Sequence, residues 1–247
     1  MTVLCYHAVE SQWTSALAVD PSDFEAQCQW LSRRRNVLTL DQALTRMGAD
    51  GRLPRGQVHL SFDDGFESLY DSMFPAVTRY GLPSSVFLVA QTLTPRGQVV
   101  DWVDDPPECP PSTLNLDQVL EMQDAGVDFQ SHTWAHRDLT SLDYDECVED
   151  LRSSRQLLSD LLGKRVTSLA YPRGRHSAMV REAARKAGYT HAFALPEENE
   201  VVDEFAIPRV GIYRGNSARV FQVKNASSYL ALRHGRLASL GRRVRGH

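Results

Sequence analysis

Two short stretches carry residue types that could do hydrolytic chemistry. The first, Val58-His59-Leu60-Ser61-Phe62-Asp63-Asp64-Gly65-Phe66, is an apolar run that passes directly into two adjacent carboxylates and a glycine. Within a strand neighbouring side chains point to opposite faces, but where the chain leaves the pleat at Gly65 both acids can turn toward one site. The same acids could instead cap a helix over 67–80. The second stretch is Phe129-Gln130-Ser131-His132-Thr133-Trp134-Ala135-His136. Two imidazoles four residues apart on a helical turn face the same side and can bind one metal ion, with Ser131 placed to cap the turn. The plainer alternative is two half-exposed histidines beside a tryptophan. Position favours the metal: both stretches follow a strand-like run, so both fall on one rim of a sheet. His/His/Asp is a ligand set that leaves coordination positions open.

The elements that must position these groups are read from the alternation of β-rich and helical segments. Eight candidate strands lie at 3–7, 37–40, 58–62, 85–90, 127–130, 166–171, 191–195 and 207–213. Helical segments separate them, which argues for parallel strands with crossover helices. The spacing of Cys147, Leu151, Leu158 and Leu161/Leu162 predicts a helix over 143–162 that Gly163 ends, and a second helix over 177–187 stops at Gly188. Between 94 and 111, Pro95, Gly97, Pro106, Pro107, Pro110 and Pro111 break the pattern and predict a long loop over one face. No repeat or low-complexity linker divides the chain, so 1–247 reads as one α/β domain. The pattern fits a (β/α) barrel, complete or missing a strand, whose chemistry gathers where the strands end.

Composition narrows the function classes. The chain has 247 residues, 42% hydrophobic and 23% charged, ordinary values for a globular domain. Its formal net charge of −4 gives no global positive field to hold nucleic acid. Cys5, Cys28, Cys109 and Cys147 show no C-x-x-C spacing and suggest neither a thiolate metal site nor a disulfide framework. The first residues lack a basic, then apolar leader, so the expected location is the cytoplasm. No apolar run approaches the roughly 20 residues that cross a bilayer. The segment from 229 carries Arg233, Arg236, Arg242, Arg243 and Arg245 among leucines. It could touch an anionic membrane surface peripherally, dock on a phosphorylated glycan, or stand as a solvated helix.

Ser61-Phe62-Asp63-Asp64-Gly65 and Ser131-His132-Thr133-Trp134-Ala135-His136 resemble the first two motifs of the polysaccharide deacetylases, carbohydrate esterase family four. Cys5-Tyr6-His7-Ala8-Val9 and Leu169-Ala170-Tyr171-Pro172-Arg173-Gly174 are similar to further stretches in the branch acting on poly-N-acetylglucosamine. The order and spacing match from about residue 3 to residue 213. The resemblance implies a distorted (β/α) barrel of about seven strands, like a TIM barrel, that removes N-acetyl groups from an amino sugar or glycan. It implies that Asp63 is the general base and that Asp64, His132 and His136 hold one divalent metal, zinc first, with iron, cobalt or nickel as alternatives. A base that must take a proton from water cannot itself be a ligand, so the division between the two acids is chemically consistent.

Further roles follow from the same resemblance. The backbone N–H of Arg173 aligns with the donor to the oxyanion. The commoner form of that motif has an arginine where Ala170 stands, and Arg173 and Arg209 are substitutes by type for orienting Asp63; either could instead form a surface salt bridge. No histidine occurs in 205–215, where the family's general acid usually lies, so His7 takes that role, with His176 second. Trp102 and Trp134 could stack on sugar faces, Trp134 being the better placed, and Tyr171 and Arg209 are expected to touch substrate. Two other readings keep the same residues: hydrolysis of a small non-sugar amide, and a carbohydrate-binding barrel without activity.

Overall fold

The computed structural model describes residues 3–195, 202–226 and 228–230. Seven strands, β1 (Val3–Tyr6), β2 (Gln57–Phe62), β3 (Ser84–Leu88), β4 (Asp128–Ser131), β5 (Ser168–Ala170), β6 (His191–Ala194) and β7 (Ile207–Gly211), pair in sequence and in parallel. β1 pairs with both β2 and β7, which closes the sheet into a barrel and leaves it no free edge. The registers Val3 to His59 and Val3 to Arg209 set β2 and β7 on either side of the first strand.

The helices form where local sequence and burial agree. In α1 (Pro21–Arg34), Phe24, Cys28 and Leu31 recur on one buried stripe, Asp20 caps the start and Pro21 fills the first position. α5 (Tyr144–Leu162) starts from a capping box between Asp143 and Glu146 and ends at left-handed Gly163, φ 63°. Its buried Cys147, Leu151, Leu158 and Leu162 face the barrel and α6 (Ala178–Ala187), which Ser177 caps and Gly188 ends. Both helices match the sequence reading. Burial of each such leucine contributes about 2 kcal/mol.

Two expected elements differ. Of the strand expected at 37–40, only Asn36–Val37 pairs, against the start of β2. Thr39 instead caps α2 (Leu40–Arg46), its hydroxyl accepting from Gln42 N at 3.3 Å. The β-branched residue that suggested a strand therefore begins a helix. Leu40, Leu44 and Met47 pack with Val3, Phe87, Ala170, Phe193 and Ile207 and close the end of the barrel where the strands begin. The helix expected over 67–80 forms in two parts, a wide turn at Leu69–Met73 and then α3 (Phe74–Tyr80). Phe74 N–H reaches back five residues to Leu69 O, because Pro75 has no N–H and its ring disfavours the ordinary register. Neither Asp63 nor Asp64 caps it.

The 94–111 stretch is a loop, anchored by the single pairings Val99–Ser112 and Phe66–Thr113. α4 (Leu116–Asp124) follows it, and α7 (Ala218–Lys224) follows the last barrel strand. No helix among the described residues is long and apolar enough to cross a membrane. Residues 231–247, which hold the arginines of the basic tail, lie outside the described residues.

Candidate active site

The chain leaves β2 through a turn in which Asp64 and Gly65 both take left-handed backbone angles, φ 71° and 68°. A Cβ on Gly65 would press into the Leu88 side chain at 2.7 Å, so the turn needs glycine there. The reversal brings Asp64 into the same cavity as Asp63. At the exit of β4 the two histidines reach this cavity too, but not on a helical turn. Thr133 and His136 have φ of 71° and 55°, and Ser131 Oγ accepts from Thr133 N at 3.2 Å inside a tight loop rather than capping a helix. The H-x-x-x-H spacing thus brings both imidazoles together by another backbone route.

His132 Nε2 and His136 Nε2 stand 3.6 and 3.3 Å from Asp64 Oδ1. The three possible ligand atoms lie within 4.8 Å of one another. His132 Nδ1 meets Ala170 O at 2.8 Å, which assigns a proton to Nδ1 and turns Nε2 toward the cavity. Burial, above all other causes, pushes the pKa of His136 down to about 4, so its ring is neutral. Two imidazole nitrogens and one carboxylate oxygen, nearly buried and converging, fit a divalent cation. Trp102 adds a further contact, its indole N–H donating to Asp64 Oδ1 at 3.0 Å while its ring stacks on His136, centroids 5.2 Å apart.

Asp63 is held differently. Arg209 Nη1 donates to its Oδ1 at 2.7 Å and Nη2 to its Oδ2 at 2.6 Å, a planar two-point contact buried at both ends. Burial pushes the Asp63 pKa up, and the guanidinium, helped by His132, more than reverses this, holding the carboxyl well below the usual carboxylate range. Cys5, His7 and Asp63 also bring ligand atoms within 4.8 Å of one another. A cation there would have to share Asp63 with the guanidinium, so the Asp64 cluster is the better metal site. His7 lines the cavity, and burial chiefly lowers its pKa.

The cavity, of about 250 Å³, is lined by His7, Asp63, Asp64, Trp102, His132 and His136 together with Leu17, Val103, Asp104, Arg173, Leu195 and Tyr213. Among the described residues, the non-glycine residues with positive φ are Asp64, Thr133, His136 and Arg173. Three of the four line this cavity, and Thr133 lies between the two histidines. Left-handed backbone costs about 1–2 kcal/mol at an ordinary residue, so strain in this fold is concentrated where the polar groups converge.

Residues 50–192, more than half of the chain, match the family described as polysaccharide deacetylase. The chain belongs to the polysaccharide deacetylase family. Poly-beta-1,6-N-acetyl-D-glucosamine N-deacetylase of Staphylococcus epidermidis is 28% identical over 208 residues, covering 78% of this chain and 67% of that protein. Among solved structures, the Streptococcus pyogenes deacetylase PplD, in complex with acetate, aligns with a TM-score of 0.74 at 21% identity, over 95% of this deacetylase and 98% of that chain. IcaB from Ammonifex degensii aligns with a TM-score of 0.72 at 23% identity, over 91% and 97%. At those identities the structural matches carry the fold, a distorted seven-stranded (β/α) barrel.

Several residues expected at the site of this polysaccharide deacetylase lie elsewhere. Tyr171 is fully buried and donates its hydroxyl to Phe205 O at 2.9 Å, which removes it from substrate. Trp134 lines a separate surface groove with Arg137, Glu146, Glu149, Asp150 and Ser153. Its place between the two histidines does not bring it to the cavity, because the left-handed residues on either side turn its side chain outward; Trp102 is the tryptophan at the site. Arg209, expected to touch substrate or to orient Asp63, is fully buried and does only the second. Arg173 lines the cavity, but its guanidinium pairs with Asp104 at 2.7 and 2.9 Å rather than with Asp63. His176 packs on Tyr171, ring centroids 5.2 Å apart, and is not among the cavity residues. Sequence reasoning missed Asp104, in the breaker-rich loop, and Tyr213, which the expected strand 207–213 included but which lies just beyond the end of β7 at Gly211. It also missed Cys5 and Ser61; their signal was the strand alternation that places Cys5 with His7 and Ser61 with Asp63.

Proposed function

We propose that this deacetylase is metal-dependent and hydrolyses the N-acetyl group of an amino sugar in a glycan of the poly-N-acetylglucosamine type. The observation that carries the reading is one small cavity in which a His/His/Asp cluster stands beside a second carboxylate fixed by a buried arginine. Asp64, His132 and His136 would hold the metal, zinc being the first choice for nitrogen and oxygen donors, with iron, cobalt or nickel as alternatives. When bound, such an ion supplies Lewis-acid polarisation of the acetyl carbonyl and acidifies water.

The chain's own residues do the rest. Asp63, ionised throughout the neutral range, accepts the proton of the attacking water. Arg173 N–H, on a left-handed turn at the cavity wall, donates to the oxygen on which charge develops. His7 delivers a proton to the departing amine nitrogen. Trp102, its indole N–H spent on Asp64, offers a ring edge and one wall to a sugar. A cavity of about 250 Å³ is smaller than those of drug-sized ligands and suits one acetamido sugar at a time.

Acetate release from N-acetylglucosamine oligomers of several lengths, alongside small N-acetyl glycosides and simple acetamides, tests the substrate class. Metal analysis of protein purified without added metal tests the cofactor. Release from oligomers by a metal-loaded protein is the expected result. Release only from simple acetamides, or full activity without any metal, would overturn the reading.

A further inference from the structure

Asp63 has about four in-plane acceptor positions, two on each oxygen. Arg209 takes one on each, and a third donor is present: Cys5 Sγ lies 3.4 Å from Oδ2. The thiol reaches it because Cys5 is the register partner of Ser61 on β2 and of Gly211 on β7, so it sits below the bridge that Arg209 makes across β1. Ser61 holds the other end. Its hydroxyl donates to Leu4 O at 2.8 Å and accepts from Arg209 Nη1 at 3.2 Å. The guanidinium itself lies near the rings of Phe87 and Phe193, 5.5 and 6.0 Å from their centroids. Cys5, Ser61 and Arg209 are all fully buried.

We propose that Cys5 and Ser61 are positioning residues for the base: the thiol fills the second acceptor position of Oδ2, Ser61 stops the guanidinium from sliding, and the outer position on Oδ1 is left as the one that receives the proton. The inference rests on the deacetylase reading for its consequence, though not for its geometry. Without the thiol, the two oxygens, still clasped by Arg209, both keep an open outer position, and water can settle on either. A fraction of encounters then presents the wrong oxygen to water. The binding of substrate does not depend on which oxygen is open, so the effect falls on kcat.

The test uses the whole protein and four variants, each assayed for metal content, kcat and KM with an N-acetylglucosamine oligomer. Serine keeps a donor at the position of the thiol and alanine does not, while the two are close in size. Cys5→Ala is expected to lose about 3- to 10-fold in kcat, the worth of one hydrogen bond from a weak thiol donor, with KM and metal content held. Cys5→Ser is expected to stay close to wild type. Ser61→Ala is expected to fall like Cys5→Ala, and Ser61→Thr, which restores the hydroxyl, to recover. Equal behaviour of Cys5→Ala and Cys5→Ser would show that residue 5 only fills space and would overturn the proposal. Wild-type protein that releases no acetate would overturn the deacetylase reading instead. The positioning is then decided by melting curves of Cys5→Ala, Asp63→Asn and the double variant, where additive shifts refute the thiol–carboxylate contact and non-additive shifts support it.

Discussion

A carboxylate clasped by both nitrogens of a buried guanidinium stays ionised but is intrinsically a weak base, so in the proposed mechanism Asp63 acts through placement. The pair also has a structural cost when broken. Asp63→Asn removes proton acceptance, worth about 10² to 10⁴ in rate, and leaves Arg209 as an uncompensated buried charge, worth about 3 to 5 kcal/mol of stability. The expected variant is metal-loaded, nearly inactive with KM little changed, and clearly less stable in urea. Wild-type kcat would show that another group removes the proton. His132→Ala and His136→Ala are expected to fail in a different way, since each deletes one of three candidate ligand atoms clustered within 4.8 Å. They should lose bound metal and activity together, and stoichiometric metal in either variant would remove that residue from the ligand set.

The loops at the strand exits carry the local conflicts that make the site. Gly174 has φ of 71°, and a Cβ there would overlap the backbone of Leu195 on the neighbouring exit. Gly174→Ala should therefore destabilise the protein by more than about 1 kcal/mol and disturb Arg173 beside it, both visible as a shifted urea midpoint and a lowered kcat. The positions of the seven barrel strands and of α5 and α6 were legible in the sequence, because hydrophobic alternation and capping residues are local signals. So were Asp63, Asp64, His132 and His136, whose types and strand-exit positions are unusual together. What was not legible depends on backbone reversal: the outward turn of Trp134, the two left-handed residues that unite the histidines, and the capping use of Thr39. The partner of Asp63 was legible only as a choice between two arginines, since a contact between residues 146 positions apart leaves no trace in local spacing.

At the scale of the whole molecule, the barrel interior holds a further buried imidazole away from the cavity. His59, on the same face of β2 as Ser61 and Asp63, places Nδ1 2.8 Å from Leu38 O, and burial lowers its pKa from 6.5 to about 4. An unfolded chain takes up a proton at this residue near pH 6.5, whereas the folded chain does so only near pH 4. The unfolded state binds more protons in between, so stability falls as pH drops from 6.5 to 4 and the His59 contribution levels off below that. His59→Asn keeps a donor for Leu38 O without a titrating group. Its melting temperature should decline less steeply than wild type across that interval, and parallel curves would exclude His59 as a source of acid sensitivity.

The closure of the barrel by β7 onto β1 has a consequence in time. During synthesis Asp64, His132 and His136 are all present long before Arg209, which arrives with the last barrel strand. A growing chain thus holds its candidate cation-binding groups while Asp63 is still without the guanidinium that clasps it. The ribosome must deliver residue 209, and β7 must dock beside β1, before that carboxylate is aligned. Hydrolytic competence in this fold is therefore the last property acquired, and it certifies that both ends of the barrel have met.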